Sequence, residues 1–506
     1  MARLRTNVIA GYAGHAWVAL MGLAFVPLYL RELGAESFGL VAFMLSLQAM
    51  TLLFDLGMSV HISREVARRS IEDKLAGTIR RLVRSFEFLV WPVAVALGLA
   101  VFLASSLIAS EWLQPVSLSH EVVVSSLWLT AAVIVAAWPG GFYAAGLVGL
   151  EQQPRLNALV VVFTTIRFAG VVPLLWYTPL GITGFLAWHA LVVFLQTVAT
   201  AWLCWRHLPP AAGATAFDWS EIRNGGKFAL AAFTVIALGL VFSQLDKLAV
   251  SHLLPLGELG VYSVAAAISA GMGRLVMPVF SATYPRFGRL IAQHDRQRTI
   301  ELFQVTGQLV AVIVGPVAFV LCAYSEELLM LWTGDGLLAR RLTLVMALLV
   351  AGAGLNALIS VPFSLQLAGG DTRPALIVNA ALVVLTVPAY ALATSDFGLE
   401  GAAGVWLVAN ALALVGMLAL MRSQLPPGQV SRWAVRAIVL PLACAAGAVY
   451  LGKWFADTYL PLVSAPLVIV CISALALVAA VSGAPQVRMA LRFLLLDSTS
   501  ARRTHQ

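Results

Sequence analysis

The sequence predicts an all-α polytopic membrane protein of about 14 transmembrane helices: two six-helix lobes related by a parallel repeat, plus two C-terminal helices. Three observations predict it. Of 506 residues, 60% are hydrophobic and only 11% are charged, where a water-soluble domain carries roughly 25% charged residues. The apolar residues come in runs of about twenty, the length that crosses a hydrocarbon core of about 30 Å as a helix. Short landmarks also recur along the chain at a nearly constant offset.

The spans are read at 8–30, 37–62, 85–109, 122–148, 157–177, 181–204, 228–252, 259–282, 304–324, 342–368, 375–394, 400–421, 434–455 and 462–481. Arg3 and Arg5 before the first imitate a signal peptide. The apolar run is too long for one and has no clear small-residue cleavage site, so it reads as a retained helix. With the N-terminus inside, the inner segments hold twenty-five Lys and Arg residues, and the outer ones hold four: Arg31, Arg340, Arg341 and Lys453. This positive-inside bias places both termini in the cytoplasm. The net charge of +8 then reflects topology. It does not point to nucleic acid, for which no basic–aromatic module is present.

Several chemistries find no support. Cys204, Cys322, Cys444 and Cys471 are dispersed in apolar runs without a C-x-x-C pair, so neither a disulfide framework nor a metal site is expected. The segment Gly447–Trp454 nearly matches a phosphate-binding loop, but Trp454 stands where the magnesium-binding hydroxyl belongs, and no strand precedes it. The eight histidines form no H-E-x-x-H, and no nucleophile elbow is present. No loop can hold an ATPase domain. The reading is a non-enzymatic transporter without cofactors, driven by an ion gradient or by the cargo's own gradient.

The repeat shows at three places. Gly149, Glu151 and Pro154 match Gly369, Asp371 and Pro374 at an offset of 220; Gly181 and Gly184 match Gly398 and Gly401 at 217; Gly39 matches Gly260 at 221. Six helices fit in that offset, so both halves enter from the same side, with an axis along the membrane normal and a central site between them. The organisation is 1–205 N-lobe, 206–226 cytoplasmic linker, 227–422 C-lobe, and 423–506 helices 13–14 with a basic tail. Prolines at 92, 139, 173, 278, 316, 362, 388 and 441 are expected to kink their helices.

Charges inside spans mark candidate sites, because an arginine at mid-membrane costs roughly 2.5–3.5 kcal/mol on insertion scales. Arg167 lies centrally, on a predicted face with Asn157 and Thr164. Arg274 shares a face with Ser281. Gln48, Asp55 and Ser59 form a second stripe, and Gln244, Lys247 and Ser251 a third. Asp246 and Lys247 are adjacent and should diverge by about 100°. Arg167, Lys247 and Arg274 then outnumber the acids, and a cationic cavity needs an anion. Arginine's planar fork suits phosphate. Internal ion pairing, for instance of Asp55 with Arg274 or Arg167, is the structural alternative. The candidate substrate-binding residues are Arg167, Arg274, Lys247, Gln48, Gln244 and Arg64, the last near the inner mouth with His61, where both can also serve as interfacial anchors. The candidate coupling residues are Asp55, Asp246 and His15; His15 and His189 otherwise read as packed intramembrane histidines.

The stretches 7–43, 52–68, 146–157, 242–265 and "TYPRF" at 283–287 resemble the bacterial polysaccharide-flippase family. These are the O-antigen and exopolysaccharide repeat-unit transporters of the multidrug/oligosaccharidyl-lipid/polysaccharide exporter superfamily. The resemblance covers spans 1–12. It implies alternating access by two lobes in the bacterial inner membrane. It also implies a cargo of oligosaccharide on undecaprenyl diphosphate, moved from the inner to the outer leaflet. Membrane lipid, a polysaccharide polymerase and chain-length proteins are the implied partners, with proton or sodium coupling open. The extra helix pair keeps the lipid II flippase branch open. A multidrug exporter would need more buried acids, and a non-transporting scaffold would need no lumenal charge.

Overall fold

Apolar segments in a bilayer must satisfy every backbone N–H and C=O internally, which favours helices. The computed structural model describes residues 14, 16–71, 77–210, 217–223, 237–421, 428–459 and 464–489, and among them there is no strand. A helical stretch at 16–24 precedes α1 (Val26–Thr51), α2 (Met58–Ile71), α3 (Ile79–Leu107), α4 (His120–Gly149), α5 (Gln153–Ala169), α6 (Val171–Tyr177) and α7 (Gly181–His207). Then follow α8 (Leu245–Leu253), α9 (Leu256–Ser269), α10 (Gly271–Ala292), α11 (Arg296–Ala323), α12 (Ser325–Thr333), α13 (Gly336–Gly369) and α14 (Arg373–Met421). The last are α15 (Gln429–Trp433), α16 (Leu440–Tyr459) and α17 (Ala465–Ser482). Eleven helical segments among the described residues are long and apolar enough to cross a membrane. The expected fourteen spans are compatible with this. α1 and α14 are each broken by a glycine, Gly34 at φ 79° and Gly398 at φ 59°, and span 7 lies partly outside the described residues.

The repeat is visible in where helices stop and start. α4 ends at Gly149 and α5 begins at Gln153; α13 ends at Gly369 and α14's helix begins at Arg373, the same offset of 220 that the sequence gives. Each turn contains one left-handed residue, Glu151 at φ 55° and Gly370 at φ 74°. Gly149 lies against the middle of α2, where an added Cβ would sit 2.6 Å from the Ser63 carbonyl oxygen; Gly369 faces Ile291 of α10. The packing pairs correspond too. α4 packs on α2, α3 and α7, while α13 packs on α10, α11 and α14.

A reciprocal crossing marks the third landmark. A Cβ on Gly39 would meet the Leu256 carbonyl oxygen at 2.3 Å, and one on Gly260 would meet the Ala35 carbonyl oxygen at 2.0 Å. Only glycine on both sides allows these backbones to approach so closely. Around the crossing, the Leu256 amide donates to the Gln114 carbonyl (2.9 Å), Gln114 Nε2 donates to the His252 carbonyl (2.8 Å), and Trp112 Nε1 donates to Ser251 Oγ (2.9 Å). The Glu36 carboxylate accepts from the Ser117 amide at 2.9 Å and from the Val116 amide and Ser117 hydroxyl.

The chain forms two compact units, residues 1–263 and 264–506. The first therefore takes in α8 and the start of α9, which the glycine crossing fastens to α1. At the other end of this unit, Arg69 donates to Glu65 (2.8 Å) and Glu221 (2.7 Å), and Arg80 Nε donates to the Pro209 carbonyl (2.8 Å), so the described parts of the linker are tied down.

In the second unit α16 and α17 pack on α11. Buried Gln308 accepts from the Gln486 amide (3.0 Å), and Trp433 stacks on Phe303 while donating to its carbonyl (3.0 Å). Lys453, from the false phosphate loop, donates to Glu327 (2.8 Å) and to the Ala323 carbonyl (2.6 Å). Most of the prolines do not stop their helices: α3, α4, α10, α11, α13 and α14 run through Pro92, Pro139, Pro278, Pro316, Pro362 and Pro388. Breaks occur at Gly170, before Pro173, and at a π-helical turn, Ala434–Val439, before Pro441.

Candidate functional site

α5 carries Arg167 in its last turn, just before the break at Gly170. Gly170 is required there, since a Cβ would lie 2.6 Å from the Trp188 ring. Three hydrogen bonds grip this turn. Trp17 Nε1 donates to Thr165 Oγ1 (2.9 Å), Tyr29 OH donates to the Phe168 carbonyl (2.6 Å), and Trp188 Nε1 donates to the Ile166 carbonyl (3.2 Å). The arginine side chain is thus presented from a braced backbone. It lines a cavity of 280 Å³ inside the first unit, together with Gln48 of α1, Gly140 and Gly141 of α4, Leu156 and Val160 of α5, and Val193, Gln196, Thr197 and Thr200 of α7. Gly140 lets Thr197 approach, at 2.9 Å from a would-be Cβ, whereas Gly141 faces open space.

Arg167 Nε is buried and bonds nothing among the described residues. Its guanidinium lies 5.5 Å from the Phe168 ring centre. No ion pair involves it among the described residues. A half-buried cation on a braced backbone, next to two glutamines and two threonines, can hold an anion that also bears hydroxyl or amide groups.

The expected stripe on α5 is corrected. The cavity side is Leu156, Val160 and Arg167. Asn157 instead abuts residue 14, 3.2 Å from a Cβ built on Gly14, and Thr164 is 1% exposed within the packing. The stripe through Asp55 is corrected as well, because the helix is not continuous there. α1 gives way to a 3-10 turn at Leu52–Phe54, and Leu56 and Gly57 are left-handed at φ 45° and 80°. Asp55 accepts from the Ser59 hydroxyl at 2.7 Å and its amide at 3.3 Å, and so caps α2.

Asp246 and Lys247 do pair, against the expected divergence: Lys247 Nζ lies 3.0 Å from Asp246 Oδ1 and 3.2 Å from the Ser243 carbonyl. The lysine stem is long enough to swing back over the first turn of α8. Asp246 is 3% exposed and also accepts from Tyr262 OH at 3.0 Å. Gln244 lies outside α8, with Nε2 3.3 Å from Ser243 Oγ. Arg274 is exposed on α10, in the second unit, and Arg64 is exposed on α2. His189 is buried against Phe185, and His15 lies outside the described residues.

One buried acid escaped the sequence reading. Glu87 of α3 is 8% exposed. It accepts from Tyr143 OH (2.8 Å), Trp205 Nε1 (2.7 Å) and Arg84 (3.0 Å), and Trp91 Nε1 donates on to Tyr143 OH (3.1 Å). This network ties α3 to α4 and α7 and engages both carboxylate oxygens within the packing. Its signal in the sequence is the Arg84–Glu87–Trp91 spacing on one face of span 3.

Residues 4–291 match the polysaccharide biosynthesis protein family over more than half of the chain. The chain belongs to the polysaccharide biosynthesis protein family. Among its relatives is a Shigella flexneri protein provisionally named an O-antigen transporter, 21% identical over 412 residues, spanning 79% of this chain and 92% of that protein. The fold resembles the lipid II flippase MurJ in an inward closed conformation, with a TM-score of 0.69 at 12% identity over 94% of this chain and 98% of that one. It also resembles an inward-facing multidrug resistance transporter of the MATE family and MOP superfamily, with a TM-score of 0.67 at 15% identity over 82% of this chain and 96% of that one. The fold is thus one that these membrane transporters share, and eleven helical segments among the described residues are long and apolar enough to cross a membrane.

Proposed function

We propose that this protein is a flippase. It carries oligosaccharide repeat units on undecaprenyl diphosphate from the inner to the outer leaflet of the bacterial inner membrane, for O-antigen, capsule or exopolysaccharide synthesis. It moves the cargo without altering it. The family match and the relative named as an O-antigen transporter support the cargo class. The observation that carries the site is Arg167, a half-buried cation whose Nε is buried and which has no carboxylate partner among the described residues, beside a partly polar cavity. In this reading Arg167 holds the diphosphate, while Gln48, Gln196, Thr197 and Thr200 serve oxygens around it. Both termini face the cytoplasm, and reporter fusions after Arg69, Arg298 and Arg502 should all read as cytoplasmic.

The deciding experiment reconstitutes the purified protein in liposomes and follows leaflet transfer of a lipid-linked oligosaccharide. Transfer above protein-free vesicles is expected, and its absence with a well-folded protein would overturn the reading. A second reading, transfer of lipid II, is favoured by the coverage of 94% of the chain in the likeness to MurJ, which extends over the C-terminal pair. Supplying both cargoes in the same vesicles separates the two. Asp55 remains the coupling candidate, now as a residue at a helix break. In wild type, transfer should depend on a pH or cation gradient, and Asp55→Asn should lose that dependence. An unchanged response removes Asp55 from coupling.

A further inference from the structure

The second unit holds a cavity that the transport reading does not use. It measures 510 Å³ and lies at the ends of α10, α11 and α13, where polar turns meet apolar spans. His294, Arg296 and Asp371 stand exposed at its mouth, while Ile300 and Leu365 wall it lower down. Gln366 lines it too and is 2% exposed. Its Nε2 is engaged with Met417 Sδ at 3.1 Å, and its Oε1 is buried without a partner among the described residues. A buried acceptor left without a donor is costly, and native proteins rarely keep one unless something else supplies the donor.

We propose that this cavity binds the phosphoethanolamine headgroup of a membrane phospholipid. The chemistry required is specific. Arg296 and His294 call for an anion. Gln366 Oε1 calls for an N–H donor, and the negative charge of Asp371 at the mouth favours one that is cationic. The apolar wall at a span's end calls for an acyl chain. A phosphoethanolamine lipid has all three. A phosphocholine lipid has no N–H to give Gln366. A phosphoglycerol lipid brings hydroxyls, but sets a net negative headgroup beside Asp371 with no ammonium to offset it.

The test measures binding of defined phospholipids to the detergent-purified full chain by native mass spectrometry and thermal shift. Wild type should bind the ethanolamine lipid about tenfold more tightly than the choline or glycerol lipid, the size of one charge-assisted hydrogen bond. Arg296→Ala should weaken the ethanolamine lipid about tenfold. Gln366→Leu should erase its preference over choline, and Asp371→Asn its preference over glycerol. Soluble phosphoethanolamine should compete poorly, which separates a lipid ligand from a free metabolite; competition as strong as the lipid's own would overturn the lipid assignment. Equal binding of all three lipids, or exposed-site Arg296→Ala binding like wild type, would mean ordinary annular lipid and end the proposal. Arg296 is exposed, so that arm stands even if Gln366→Leu does not fold.

Discussion

Arg167→Ala separates a cargo site from a structural bolt. Breaking a buried ion pair typically costs about 3–5 kcal/mol, because a charge is stranded. Here no carboxylate among the described residues is stranded, since Arg167 Nε is unpartnered among them and its aromatic neighbour is the Phe168 ring at 5.5 Å. That contact is worth about 0.5–1 kcal/mol where exposed and about 2 kcal/mol where desolvated, and removing a mid-membrane cation offsets this by relieving part of an insertion cost of about 2.5–3.5 kcal/mol. The variant should therefore keep its thermal stability to within about 1 kcal/mol. Binding should suffer far more. Two charge-assisted bonds from guanidinium to phosphate contribute at least about 3 kcal/mol together, so affinity for a lipid-linked diphosphate should fall roughly a hundredfold. Arg167→Lys should retain an intermediate affinity, because lysine keeps the charge without the fork. Thermal unfolding and cargo binding on the same preparation decide. A large stability loss with unchanged binding per folded molecule would refute the assignment.

Gly141→Leu should fold, because a Cβ there meets nothing within 4 Å, yet it should abolish transfer by filling the 280 Å³ cavity; normal transfer would place the cargo elsewhere. Glu87→Leu should cost about 3 kcal/mol or more in thermal stability, since it leaves Tyr143 and Trp205 with unmet donors, and transport per folded molecule should be unchanged. Glu65 gives a pH signature. The hydrogen bond from Arg68, then that from Arg69 against partial burial, holds its carboxyl down at about 2, from 4.5. A depressed carboxyl stabilises the fold above its unfolded value and loses that contribution as pH falls towards 2. Wild-type melting temperature should drop across that window more steeply than that of Glu65→Gln, and parallel curves would discount the pair.

Much of this fold is legible in the sequence because glycine marks the breaks. Gly149, Gly181, Gly369 and Gly398 were matched by offset alone, and each sits at a helix end or break. Arg167 was legible because its burial follows from span length. What failed was face arithmetic across breaks. Asp55 and Ser59 were assigned to a continuous helix, though Asp55-Leu56-Gly57 is a turn signal and the chain turns there. Asp246 and Lys247 pair because a lysine stem bends further than a Cβ direction suggests. Glu87 finds Tyr143 and Trp205 across long separations that no local pattern encodes.

The crossing of Gly39 and Gly260 carries a historical consequence. Position 35 meets 260 and position 256 meets 39, with 35 equivalent to 256 and 39 to 260. Two identical molecules related by a twofold axis make such self-complementary contacts. An ancestor of half this length, before its gene was duplicated and joined, would have met a second copy of itself at this glycine. The two positions in the present chain are then two copies of one ancestral residue and should behave as one. Gly39→Ala and Gly260→Ala should destabilise by similar amounts, about 1–3 kcal/mol each. The double variant should cost less than the sum, because the second methyl enters space that the first has already opened. Strict additivity would mean that the two close approaches are strained independently and do not form one coupled contact.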